Sequence, residues 1–215
     1  MRDIAPQSDR STAIVDAPTA ALIRVAAAMA DAPDELLERL VREAKAAGTP
    51  GAWLDELVLA GVLFVGFPRA LVVLAAVRRE FPEAGPEGDA ADYAAWQTWK
   101  QRGEQACRKI YGANYDKLRA NVRAMHPVLD AWILMDGYGR TMSRPGLDMA
   151  RRELCSIAML VPQRTPRQLH SHLRGALNCG ASAEQVEAVF DLVATLPCVP
   201  ADRIASSVTV WRGMQ

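Results

Sequence analysis

The sequence predicts an all-α protein built from two copies of one helical unit, and three observations carry that prediction. Alanine, the best helix former, makes up about a sixth of the 215 residues. Runs of β-branched residues with period-2 alternation are scarce: only residues 62–73 can pass for a strand, and their alanines and leucines equally suit a buried helix. Finally, Gly48 and Gly180 lie 132 residues apart, as do Pro68 and Pro200, and the same gapless offset pairs Leu22 with Leu154, Val25 with Ile157, Leu37 with Leu169 and Arg42 with Arg174. Apolar spacing alone is common to all core-facing helices. A shared terminal glycine, a later proline and an arginine without a gap point to duplication.

The elements follow in order. Pro18–Met29 reads as a helix closed by the Asp31-Ala32-Pro33-Asp34 cluster. Asp34–Ala47 is amphipathic, with Leu36, Leu37, Leu40, Val41 and Ala44 on one face and Gly48 just past the last turn. A helix begins near Pro50 and runs into Gly61, and another follows Pro68. The stretch FPEAGPEGD, 81–89, mixes prolines and glycines with acids and reads as a linker. Tyr93–Arg108, Tyr115–Met125 and Pro127–Met135 read as helices, and Gly137–Gly146 as a turn-rich passage. Leu147–Val161, Pro166–Asn178, Ala183–Ala194 and Ala201–Trp211 complete the set. The division is a degenerate first repeat over 17–80, a linker and helix over 81–101, and a larger domain over 102–215.

Composition narrows the function. At 23.4 kDa the chain suits one domain or two small halves. Twenty-five basic and 25 acidic residues cancel, leaving no global field for nucleic-acid phosphates. No run approaches the ~20 apolar residues of a membrane helix, because Arg24 and Arg69 interrupt the most hydrophobic stretches. The opening MRDIAPQSDR has no apolar core of a secretory signal. Cys107, Cys155, Cys179 and Cys198 form no CxxC pair and no metal-ligand spacing. The expectation is a soluble cytoplasmic protein with no metal, nucleic-acid or membrane partner.

Polar chemistry concentrates in the second copy, where Glu153 stands against Ala21 of the first and His172 against Leu40. Leu147, Ala150, Leu154, Ile157 and Val161 form one apolar stripe with Glu153 at its edge. Glu153 is either in a surface salt bridge or partnered where burial penalises its charge. Thr165, Pro166 and Gln168 read as a capping box, which gives Thr165 and Gln168 a sufficient structural role. Gln168, His172, Gly175 and Cys179 share a helix face, whereas His170 is about 200° from His172 and cannot share its site without a neighbouring chain. His172 is either a satisfied structural group or a proton carrier. Between 140 and 174 there are seven arginines, Arg167 and Arg174 among them, against two acids. That field suits a small carboxylate ligand, a solvated face or a subunit contact. Cys155 and Cys198 sit in apolar segments as small hydrophobes.

The segment GRTMSRPGLDMARRELCSIAMLVPQRTPRQLHSHLRGALNCGASAEQVEAV resembles the core of the carboxymuconolactone decarboxylase family, which shares its helical fold with alkylhydroperoxidase D. The SRPGLD turn, the REL at Arg152–Leu154 and the SHLRGALNCG at Ser171–Gly180 carry the likeness, which extends more loosely from about Arg102 through KIYGANYDKL to the C-terminus. LDELVLAGVLFVGFPRAL in the first copy is similar to the helices that follow the family's active segment. The peroxidase branch carries Glu-x11-Cys-x2-Cys-x3-His; here Glu153 and His172 keep the spacing, while Thr165 and Gln168 stand at the cysteine positions. The pattern Gln168, His172, Arg174 is similar to the decarboxylase branch, and Cys179 stands where that branch has an asparagine. The resemblance implies an all-helical two-repeat alkylhydroperoxidase D-like domain, assembled as a homotrimer or hexamer. It also implies a cofactor-free lyase of the kind used in aromatic catabolism, acting on a small anionic, lactone or enolisable carboxylic acid substrate. His172 would be the proton donor, Glu153 its support and Arg174 the carboxylate clamp, with Gln168, Arg167 and His170 contacting substrate. The alternatives are a thiol peroxidase using Cys155 with Cys179, and a helical binding or scaffold protein without turnover.

Overall fold

A computed structural model describes residues 14–83, 85 and 88–215; the opening MRDIAPQSDR and part of the FPEAGPEGD linker lie outside the described residues. The helices are α1 Ala17–Asp31, α2 Asp34–Ala46, α3 Gly51–Glu80, α4 Trp96–Tyr111, α5 Tyr115–Met125, α6 Pro127–Trp132, a π-helix Ile133–Met142, α7 Met149–Leu160, α8 Pro166–Asn178, α9 Ala183–Ala194 and α10 Ala201–Arg212. No strand occurs among the described residues, and 62–73 is helical as the all-α reading requires.

Local chemistry starts the helices. Asp16 accepts a hydrogen bond from the Thr19 amide at 2.8 Å and caps α1. Asp148 does the same for α7 through the Arg151 amide at 3.0 Å. Asp34 and Pro166, Ala46 and Asn178, Gly51 and Ala183, and Glu80 and Arg212 bound corresponding elements at the sequence offset noted above. Gly48 (φ +78°) and Gly180 (φ +99°) both follow their helices in the left-handed conformation that glycine adopts without a Cβ penalty.

The stretch expected as two helices, one running into Gly61 and one after Pro68, does hold two helical segments, 51–65 and 67–80, which together make up α3 and are broken where Gly66 takes φ +72° and ψ 169°. Pro68 sits in the first turn beyond the kink, where its missing N–H costs no helical hydrogen bond. By length and composition α3 is apolar enough to cross a membrane, with mean hydropathy 2.3 over 18 residues, so Arg69 interrupts it less than the sequence suggests. Arg69 is committed to the fold. Its guanidinium donates to the carbonyls of Ala28, Met29 and Ala32 at the end of α1.

The helices of the first 80 residues and those after residue 147 share one core. Leu22, Ile23 and Leu37 pack in the same buried cluster as Leu154, Ile157 and Leu173. Helices α1 and α7 meet as counterparts, with Arg151 Nε donating to Thr19 Oγ1 at 2.8 Å across 132 residues of chain. A second cluster, with Cys107, Ile110, Leu134 and Tyr138, joins α4 to the π-helix. The passage expected to be turn-rich from Gly137 is thus π-helical as far as Met142. Gly103 and Gly139 explain its docking: a Cβ on the first would overlap the Leu134 carbonyl, and on the second the Trp99 carbonyl. Gly139→Ala is expected to lower stability in thermal unfolding by about 1–3 kcal/mol, the usual cost of overpacking. An unchanged midpoint would show that this crossing is loose.

Candidate active site

Glu153 on α7 and His172 on α8 meet, with His172 Nδ1 2.7 Å from Glu153 Oε2. Glu153 is fully buried, and its Oε1 has no hydrogen-bond partner among the described residues. Room for this carboxylate comes from Gly175, where a Cβ would stand 2.9 Å from Oε2 and 2.9 Å from Ile110 Cγ2. Phe64 of α3 packs its ring edge-to-face on the His172 imidazole, centroids 5.4 Å apart. With Nδ1–H donating to the carboxylate, Nε2 remains the ring atom available for proton exchange.

His172 lines a cavity of about 790 Å³. Its walls are mostly apolar, with Phe64, Leu118, Ile133 and Leu160 inside and Leu129 and Trp132 at the exposed rim. Tyr111 and Tyr138 also line it, their hydroxyl oxygens 2.8 Å apart. Burial pushes the Tyr111 hydroxyl up to about 12 and that of Tyr138 well above its ordinary value, so both stay protonated donors. Arg140, the arginine in the lining, is paired with Asp136 at 3.3 Å.

The structure brings together some of the expected residues and separates others. Gln168 and Thr165 line the cavity with His172. The capping box expected of them does not form: Thr165 has ψ 69°, makes no side-chain cap, and leaves Oγ1 buried without a partner among the described residues. The Asp148 and Ser182 caps have ψ near 160°, and Ser182 forms a true capping box with Gln185. Arg167, His170 and Arg174 are exposed and are not among the cavity's lining residues. Arg174 and His170 each stand two residues from His172, about 200° around α8.

The basic field expected over 140–174 is largely cancelled by acids from elsewhere in the chain. Arg151 pairs with Asp16 and Asp148, Arg152 and Arg144 with Glu56, and Arg164 with Asp202. Glu153 is not in a surface salt bridge. The thiols are equally constrained. Burial raises Cys155 to about 12 and Cys179 to about 11, which leaves almost no thiolate at neutral pH. Cys155 belongs to the main core and Cys179 packs on the other cluster. Sequence reasoning missed Phe64, Tyr111 and Tyr138. Tyr111 lies within KIYGANYDKL and Phe64 within LDELVLAGVLFVGFPRAL, two segments that carry the resemblance.

Comparison with known proteins relates part of the chain to one family. Residues 127–210 match the model of the carboxymuconolactone decarboxylase family. The chain is 31% identical over 134 residues to Peroxisomal protein 2 of Schizosaccharomyces pombe, covering 62% of this chain and 63% of that protein. It is 36% identical over 93 residues to Peroxisomal protein 2 of Saccharomyces cerevisiae, covering 43% of this chain and 33% of that one. The match thus spans less than two thirds of the length of either relative. The segment that matches this family's model, residues 127–210, is the one that carries the π-helix, Glu153 and His172.

Proposed function

We propose that the chain is a cofactor-free acid–base enzyme, a lyase or isomerase in which His172 moves a proton to or from carbon in an enolisable carbonyl compound or lactone. The observation that carries this reading is the fully buried Glu153 carboxylate holding His172 Nδ1 at 2.7 Å on the wall of a large cavity. A carboxylate in that place fixes the tautomer and supports the imidazolium that forms when Nε2 takes a proton. For a lactone that loses CO₂, the bond pair left on carbon spreads into the carbonyl as an enolate. Protonated Nε2 then returns a proton to that carbon. The groups placed to hold the enolate oxygen are the Tyr111–Tyr138 hydroxyls rather than Arg174, which is exposed.

The duplicated helical unit is part of the proposal, as is self-assembly into a trimer or hexamer. The second is supported by the exposed apolar stripe Leu59, Leu63, Phe67 and Leu71 on α3. A thiol peroxidase is the weaker reading, because burial holds the thiols protonated. The names of the relatives place those proteins at the peroxisome, and the chemistry proposed here is independent of compartment.

The test is turnover of a panel, with 4-carboxymuconolactone followed by ultraviolet absorbance and simple ketones followed by proton exchange into D₂O. At least one member should be processed, and His172→Ala should slow it by about 10²–10⁴-fold. Added imidazole should restore part of the loss. Undiminished turnover by His172→Ala, or no processing of any member, sinks the proposal.

A further inference from the structure

The cavity's walls and its polar groups together define a narrower substrate than the chemistry alone requires. Its volume of about 790 Å³ matches that of sites for drug-sized ligands, and most of its lining is hydrocarbon or aromatic. Besides His172, its polar groups are neutral, Thr165, Gln163, Gln168 and the two tyrosines, apart from the ion pair of Arg140 with Asp136. The Tyr111–Tyr138 pair holds two hydroxyl protons and uses one between the two oxygens, which leaves one to donate. Gln163 donates from Nε2 to the Phe64 carbonyl, which ties it to α3.

Charge is the discriminating feature. Arg140 is paired with Asp136, which lines the cavity beside it, so the two charges offset each other, and Arg167 and Arg174 are exposed outside the lining. An entering carboxylate would therefore lose its water against apolar walls without gaining a cation, beside the buried negative charge of Glu153. A neutral carbonyl compound meets no such penalty.

We propose that the cavity takes an uncharged carbonyl compound with an apolar body, a medium-chain alkyl or aryl ketone or ester, whose carbonyl oxygen accepts the spare hydroxyl proton of the Tyr111–Tyr138 pair while its α-carbon faces His172 Nε2. The inference rests on the acid–base reading of the dyad for its second half and on the lining alone for its first. The step balances within the site. Nε2 takes the α-proton, the C–H pair becomes the Cα–C double bond, and the carbonyl π pair moves onto oxygen under the tyrosine hydroxyl. Return of a proton from the imidazolium restores the ketone, so in D₂O the net change is hydrogen replaced by deuterium.

The experiment pairs calorimetric titration with exchange. 2-Hexanone, 2-octanone and 2-decanone are titrated into the protein beside hexanoate, octanoate and decanoate, and α-proton exchange of 2-octanone is followed by NMR in D₂O. Ketone affinity should rise about fourfold per added methylene, from about 0.8 kcal/mol per buried CH₂, with each carboxylate at least about tenfold weaker than its ketone. Leu129→Glu, a substitution at the exposed rim that leaves the core intact, should weaken 2-octanone binding by about tenfold. The double variant Tyr111→Phe, Tyr138→Phe, which removes both hydroxyls, should slow exchange by about 10²-fold with a much smaller loss of binding. A flat chain-length series, or carboxylates that bind as tightly as ketones, overturns the assignment of the cavity whatever the exchange shows. A steep series with no exchange dependent on His172 upholds the cavity assignment and overturns the acid–base reading instead.

Discussion

Glu153→Gln should lower kcat for any processed substrate by about 10²–10⁴-fold while leaving KM and the unfolding midpoint nearly unchanged. The substitution keeps the size of the side chain in a space that Gly175 has cleared for it, so the packing around Ile110 survives. What changes is charge and hydrogen-bond sense. An amide supplies no negative charge to the imidazolium that forms when Nε2 takes a proton. If its NH₂ faces His172, it donates to Nδ1 and forces the proton onto Nε2, the wrong tautomer for a base. Glu153→Asp keeps the charge but is one methylene shorter and should recover part of kcat. If Glu153→Gln turned over at the wild-type rate, the 2.7 Å contact would be a packing detail. A loss of stability with kcat unchanged would likewise assign Glu153 to the fold alone.

How far the sequence reveals this arrangement depends on the range of the interaction that makes it. Helix starts and stops are local. Pro166, Gly48 and Gly180 mark them, and α5, α8 and α9 fall on the expected residues, whereas α7 starts two residues later than expected, at Met149 behind its Asp148 cap. The dyad is within reach because Glu153 and His172 lie on consecutive helices, 19 residues apart. The π-helix leaves no such mark. Its i→i+5 pattern has no familiar apolar period, and the glycines of 137–146 read as turns until Gly103 is seen to accept the crossing. Phe64 reaches His172 from α3, 108 positions earlier in the chain, which no spacing around His172 can announce. The arginines mislead for the same reason: Arg151 finds Asp16 from 135 residues away and Arg152 finds Glu56 from 96. A charge run counted along the chain is not a field in space.

That last pair carries the other large effect. Glu56→Ala is expected to destabilise the protein by about 3–5 kcal/mol, the cost of leaving a buried charge without its counter-ion. For a chain of this size that is a fall in Tm of about 6–20 °C. Glu56 is 2% exposed, and its carboxylate accepts from Arg152 Nη2 at 2.8 Å and from Arg144 Nε at 3.1 Å. Without it, Arg152 keeps hydrogen bonds only to the carbonyls of Leu147, Arg144 and residue 56, which satisfy its donors but not its charge. Burial already lowers the pKa of the Arg152 guanidinium, so the site is dry enough for the loss to register. The consequence reaches the cavity, because Glu56 ties α3 to α7, and α3 carries Phe64 to the His172 ring. Glu56→Ala protein, assayed well below its lowered midpoint, should therefore bind the cavity's ligands more weakly than wild type. A midpoint shifted by less than about 3 °C would mean that the cluster contributes little net stability, as some buried ion pairs do when weighed against their desolvation.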